Sequence, residues 1–146
     1  MPVFEQVLEK YPQDVKVVFK HFPLRNHKFA EKAAIAALAA GEQGKFWEFH
    51  DELFKNYNRL NDQKIQEIAH RLELDETEIE KQRKDPAITT RIQKDYEEGI
   101  RLGIRGVPTV YVNGKRMRDR AMNSVEAAIE KELKAKQEKA NQQTKE

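Results

Sequence analysis

The run Ile104-Arg105-Gly106-Val107-Pro108-Thr109-Val110-Tyr111-Val112-Asn113-Gly114 constrains the fold more than any other stretch. Residues 109–112 are β-branched and aromatic, the composition of a short strand. Asn113-Gly114 follows at once, and the two central residues of a type I′ turn need φ > 0, which Asn and Gly tolerate. The chain is therefore expected to turn back here as a hairpin, with a second short strand near residues 116–118. Gly106 and Pro108 punctuate the entry. Proline has no N–H to give to a ladder, so Pro108 belongs at the start of the strand and not within it.

A second strand signal lies far upstream. Residues 15–20 hold Val15, Val17, Val18 and Phe19 with Lys16 and Lys20 among them, near-continuous in apolar character, as in a buried parallel strand. The turn His21-Phe22-Pro23-Leu24 ends it. Before it, Val3, Phe4, Val7, Leu8 and Tyr11 make one helical stripe over residues 3–11, closed by Pro12.

Between the two strand signals the periodicity is helical. A helix over 28–40 puts Phe29, Ala33, Ala36, Ala37 and Ala40 close to one face. Residues 45–56 carry Phe46, Phe49, His50, Leu53 and Phe54 at helical spacing, continued by Tyr57 just past the end. Residues 62–72 place Ile65, Ile68, Ala69 and Leu72 inward, capped by Asn61 or Asp62. A short acidic helix starts at Asp75. A fifth helix over 87–102, with Pro86 in its first turn, turns Ile88, Ile92, Tyr96 and Ile100 inward. After the hairpin, residues 123–133 read as a last helix lined by Val125, Ala128, Ile129 and Leu133, with Met122 just ahead on the same face and Asn123 as its cap. The polar tail 134–146 is expected to fray.

This order of segments resembles the DsbA-like disulfide oxidoreductases. In that family a strand leads into Cys-x-x-Cys at the head of a helix that continues much like Met-Pro-Val-Phe-Glu-Gln-Val-Leu-Glu-Lys-Tyr-Pro. A strand like residues 15–20 follows and closes in a His-Phe-Pro-Leu-type turn. A helical domain comes next, then a cis-proline loop and a hairpin. The fold class implied is α/β: an incomplete thioredoxin-like fold with a large all-helical insertion, predominantly helical overall. Residues 1–26 and 103–133 form the partial thioredoxin-like domain, 27–102 the helical insertion and 134–146 the tail. The resemblance implies a truncated member, with Met1 expected to fall inside the active-site helix, a few residues past the cysteines, and the N-terminal strand expected to be missing.

The resemblance implies polypeptide partners, gripped by Gly106, Val107, Pro108 and Thr109. It implies thiol–disulfide oxidoreductase activity for a full-length form, located in the periplasm or another extracytoplasmic space. The chain as given contains no cysteine. Disulfide exchange needs a thiolate, so no catalytic residue is expected here, and no cofactor.

Composition narrows the remaining classes. Basic and acidic residues number 27 and 25, for a net charge of +2, and the signs are interspersed. Arg116, Arg118 and Arg120 form a mild basic patch, too small for a nucleic-acid footprint. No apolar run approaches the ~20 residues of a membrane span. His21, His27, His50 and His70 do not share metal-ligand spacing, so no metal site is expected. His50 reads as a core histidine, and His21 and His27 as surface or hinge residues flanking a turn. Losing a central strand removes about 5–12 kcal/mol of aliphatic burial, comparable with the whole stability of a domain. Compensation is expected through a homodimer formed at the exposed strand edges.

Overall fold

Small side chains set the packing of the helical part. In the computed structural model, which describes residues 2–143, Ala30–Glu42 forms helix α2. Ala36, Ala39 and Ala40 are wholly buried, and Ala33, Ala34, Ala37 and Leu38 nearly so. Alanine keeps the helix surface thin, so neighbours can approach from several directions. Four do: α3 (Phe46–Lys55), α4 (Asp62–Arg71), α5 (Glu76–Arg83) and α6 (Pro86–Arg101) all pack on α2. The sequence suggested a single buried face. The structure buries Ala34, Leu38 and Ala39 as well, which makes α2 the hub of this part.

Local chemistry fixes the helix starts. Asn61 Oδ1 accepts from the Lys64 N–H at the head of α4, and Asp75 Oδ1 accepts from the Glu78 N–H at the head of α5. Each satisfies a backbone donor that the first turn leaves without a partner. Asp85 does the same for the Ala87 N–H at α6, just ahead of Pro86.

The chain divides into two compact units, Lys20–Arg105 and the pair Met1–Phe19 with Gly106–Glu146. The sequence placed these divisions at 26/27 and 102/103. The shift at the first has a physical cause: the turn after residue 19 is bound to α6. His21 N–H donates to Asp95 Oδ2 at 2.9 Å, and Lys20 Nζ reaches Glu98 at 2.9 Å. The Phe22 ring stacks on Tyr96 at 4.7 Å. Gly99 makes room for that ring, since a Cβ there would lie 2.6 Å from it.

In the second unit, helix α1 (Pro2–Lys10) meets the long helix α7 (Met122–Gln143). Val7, Val125 and Ile129 form the buried centre, with Val3, Tyr11, Val15, Val112, Met117 and Leu133 around it. Lys10 pairs with Glu126 at 2.8 Å, and the Tyr11 hydroxyl donates to Glu130 at 2.9 Å. The hairpin is β1 (Tyr111–Val112) against β2 (Lys115–Arg116), antiparallel, with Tyr111 opposite Arg116. Asn113 and Gly114 both have positive φ, 44° and 76°, as the type I′ turn requires.

Several expectations need correction. Residues 15–20 carry no ladder: they have no regular secondary structure, and among the described residues the ladder holds β1 and β2 alone. A strand is defined by its ladder, and the described ladder does not run along these residues. Nor are they buried on both faces, since Val18 is 63% exposed. The first hairpin strand is laddered only at Tyr111–Val112, and its partner lies at Lys115–Arg116. Ile100, Phe54 and Tyr57 are exposed. For Ile100 the reason is that the packed face of α6 has passed to Gly99. Helix α7 runs to Gln143 where 134–146 was expected to fray. Its Lys, Ala, Gln and Glu are good helix formers, which carry the helix on without packing. Residues 144–146 lie outside the described residues. Asn123 lies inside α7, whose start is held by Asp119, accepting from Ala121 N–H and Ser124 Oγ.

The Phe22–Gly99 fit is open to test. Gly99→Val forces the ring off Tyr96 and is expected to cost about 1–3 kcal/mol in urea unfolding. The same change in a Phe22→Ala background is expected to cost much less, and equal costs in both backgrounds would refute the fit.

Candidate functional site

The proline loop is formed by residues adjacent in sequence. The Val107–Pro108 peptide bond is cis. The Thr109 hydroxyl donates to the Gly106 carbonyl at 2.7 Å, so the residues on either side of Val107 and Pro108 are tied together. Gly106 and Pro108 are exposed, and Val107 is 50% exposed. Thr109 is half-buried, at the point where the chain enters the hairpin. The Met117 N–H donates to the Val110 carbonyl at 2.8 Å, continuing the pairing one residue beyond β1. The structure therefore brings all four predicted loop residues into one exposed turn, braced at its base. No thiol or other strong nucleophile stands among them.

A second cluster was missed by the sequence reading. His21 is buried, not a surface residue. Its ring lies edge-on to Phe46 at 5.9 Å, and the His50 ring lies 5.7 Å from the same phenylalanine. Trp47 and Phe54 extend this group around His50, at 5.6 and 4.6 Å. His50 Nδ1 lies 3.1 Å from Asp51 Oδ1. The buried aromatic character of α3 was legible in the sequence. The position of His21 was not, because it comes from a turn bound to α6. His27 and His70 are exposed, as expected for His27.

Both buried histidines are held toward the neutral form. For His21, burial is the main cause and pulls the pKa down to about 4. Arg91 and His50 push the same way, and Asp95 opposes them. For His50, burial again lowers the pKa, against the hydrogen bond to Asp51.

A family model described as a DSBA-like thioredoxin domain matches residues 1–130. The chain belongs to the DsbA-like thioredoxin family. The chain is 31% identical over 129 residues to the "Probable disulfide bond formation protein D" of Bacillus cereus, covering 82% of this chain and 59% of that protein. It is 36% identical over 116 residues to "Na(+)/H(+) antiporter NhaA 3" of Salinispora tropica, covering 79% of this chain and 18% of the antiporter. This DsbA-like chain thus spans under a fifth of such antiporters and about three-fifths of protein D. A crystal structure described as a thioredoxin-like oxidoreductase from Silicibacter pomeroyi has the same fold, with a TM-score of 0.79 at 24% identity, covering 92% of this chain and 77% of that one. No helix among the described residues is long and apolar enough to cross a membrane.

The low pKa of His21 sets a pH dependence. Unfolding restores the ordinary value near 6.5, so the unfolded chain binds the proton more readily at any pH between. Stability is therefore expected to be flat above about 6.5 and to fall by up to about 3 kcal/mol as pH drops toward 4. Urea titrations across this window check it. His21→Gln should flatten the slope, leaving the smaller part due to His50, and an unchanged slope would rule His21 out as its source.

Proposed function

We propose that this chain is the polypeptide-holding part of a DsbA-like thiol–disulfide oxidoreductase, whose full-length form oxidises or isomerises disulfides in other proteins. The observation that carries this reading is the exposed loop of Gly106, Val107, Pro108 and Thr109, braced by the Thr109–Gly106 hydrogen bond. In members of this family, the residue before the proline and the proline itself grip an extended peptide. An exposed apolar side chain beside free main-chain groups suits that task, because backbone bonds supply affinity and the side chain supplies fit. A full-length form is expected to work in the periplasm or another extracytoplasmic space.

The chain itself contains no cysteine. Exchange begins with a thiolate attacking a disulfide sulfur, and without one no electrons pass. The chain as given is therefore redox-inactive. That same absence favours a second reading, a non-enzymatic protein that binds peptides or docks through its helices. In either case the bare strand edges of the hairpin unit support a homodimer.

Three measurements test these readings. Peptide arrays are expected to show binding by the chain that is lost or reduced at least tenfold in Pro108→Ala. Equal binding by the variant would leave the helices as the contact surface. In an insulin-reduction assay with dithiothreitol, turbidity should rise no faster with the chain than without it. Sedimentation velocity at micromolar concentration is expected to give a dimer, and a well-folded monomer would overturn that part.

A further inference from the structure

Helix α6 carries a stripe that the helical core does not use. The core takes Ile88, Ile92 and Gly99. Ala87, Arg91, Lys94, Glu98 and Arg101 follow one another at alternating steps of four and three. On a helix that spacing draws one line, about 21 Å long at about 1.5 Å per residue. With Thr90 and Lys20 these residues line a groove of about 820 Å³ within the unit Lys20–Arg105. A smaller hollow of about 350 Å³ shares Ala87 and Arg91 with the groove. Buried Leu38 and Ile88 line it, together with the carboxylates of Glu42 and Asp85.

The cations of the groove differ in what they face. Lys20 Nζ is engaged by Glu98 at 2.9 Å and by Asp95 at 3.4 Å. Arg91, Lys94 and Arg101 are exposed, and among the described residues they make no ion pair. They stand four, seven and fourteen positions beyond Ala87.

We propose that this face of α6 docks an amphipathic helix of another polypeptide, with one aliphatic residue and three acidic residues on a single face at those intervals. Steps of four and three on both partners are the geometry in which two helices lie side by side over several turns. Carboxylates opposite Arg91, Lys94 and Arg101 complete charges that have no partner within the chain. Exposed ion pairs each contribute little, so the aliphatic residue matters: seated against Leu38 and Ile88, it gives the contact that loses water. A uniformly charged polyanion fits less well, because Asp95 and Glu98 stand between Lys94 and Arg101 and would face its charges. The proposal rests on the reading in which the chain docks through its helices, names the helix and the charge of its partner, and makes no use of the proline loop.

Fluorescence anisotropy on the intact chain tests it. The probe is a labelled Ala- and Gln-based helix of about 18 residues, roughly five turns, with one Leu and with Glu four, seven and fourteen positions beyond it. A second probe carries the pattern in reverse, for antiparallel docking. At least one is expected to bind, and to bind at least tenfold more weakly to the triple variant Arg91→Gln, Lys94→Gln, Arg101→Gln. A peptide of the same composition with each Glu moved two positions, to the opposite face, should lose as much against the unaltered chain. Pro108→Ala should bind the probe as the unaltered chain does, which separates this surface from the loop. Any peptide contact with the chain registers on the arrays, whereas this probe reports on α6 alone. No binding by either probe, equal binding by the displaced-Glu peptide or by the triple variant, or loss in Pro108→Ala would each overturn the proposal. So would displacement of the probe by inorganic polyphosphate at equal charge concentration, since the groove would then be a general polyanion surface.

Discussion

An extended backbone cannot satisfy its own donors and acceptors. It needs a neighbour, and the cost of a buried amide without one is of the same order as a lost hydrogen bond. This constraint divides the molecule. The helices of Lys20–Arg105 close their hydrogen bonds internally and need only side-chain packing to hold them, which α2 supplies. The other unit has extended segments but a short ladder, and its buried centre is Val7, Val125 and Ile129. Among the described residues the helices share one buried core around α2, whereas the ladder of the other unit is two residues long on each strand.

Asp95 shows how a polar group can hold a turn in place. Its carboxylate accepts from the His21 N–H and lies 3.4 Å from Lys20 Nζ. The side chain is only 11% exposed, so its charge is partly desolvated and is offset by a cation and a backbone donor together. The same arrangement draws His21 inside, where burial outweighs the attraction of Asp95 and keeps the ring neutral. Phe22 then fits against Gly99 and Tyr96. Placement of the turn thus depends on residues some 74 positions later in the chain.

That separation explains what the sequence reveals and what it hides. The caps at Asn61 and Asp75, the Asn-Gly hairpin and the inward face of α7 are local, and each follows from residue types a few positions apart. The turn at Gly106 and Pro108 is equally local, whereas its reading as a peptide-gripping loop came from the resemblance carried by the order of the surrounding segments. Burial of His21 was hidden, because a histidine beside a turn has no local mark distinguishing a surface site from a buried one. Residues 15–20 misled for the opposite reason. Their composition is that of a strand, but pairing is a property of two segments, and composition describes only one. The extension of α7 past Leu133 came from helix propensity, where amphipathic pattern alone predicted an end.

Holding a peptide and exchanging its disulfides are separable in physical terms. The brace of the proline loop is a hydrogen bond between residues three positions apart, and its base is the adjoining hairpin. Neither feature uses a sulfur atom. A loop stabilised this locally keeps its form whether or not a nucleophile stands opposite it. The form of the loop rests on the hydrogen bond from Thr109 to Gly106, whereas disulfide exchange needs a thiolate, and the given sequence has no cysteine.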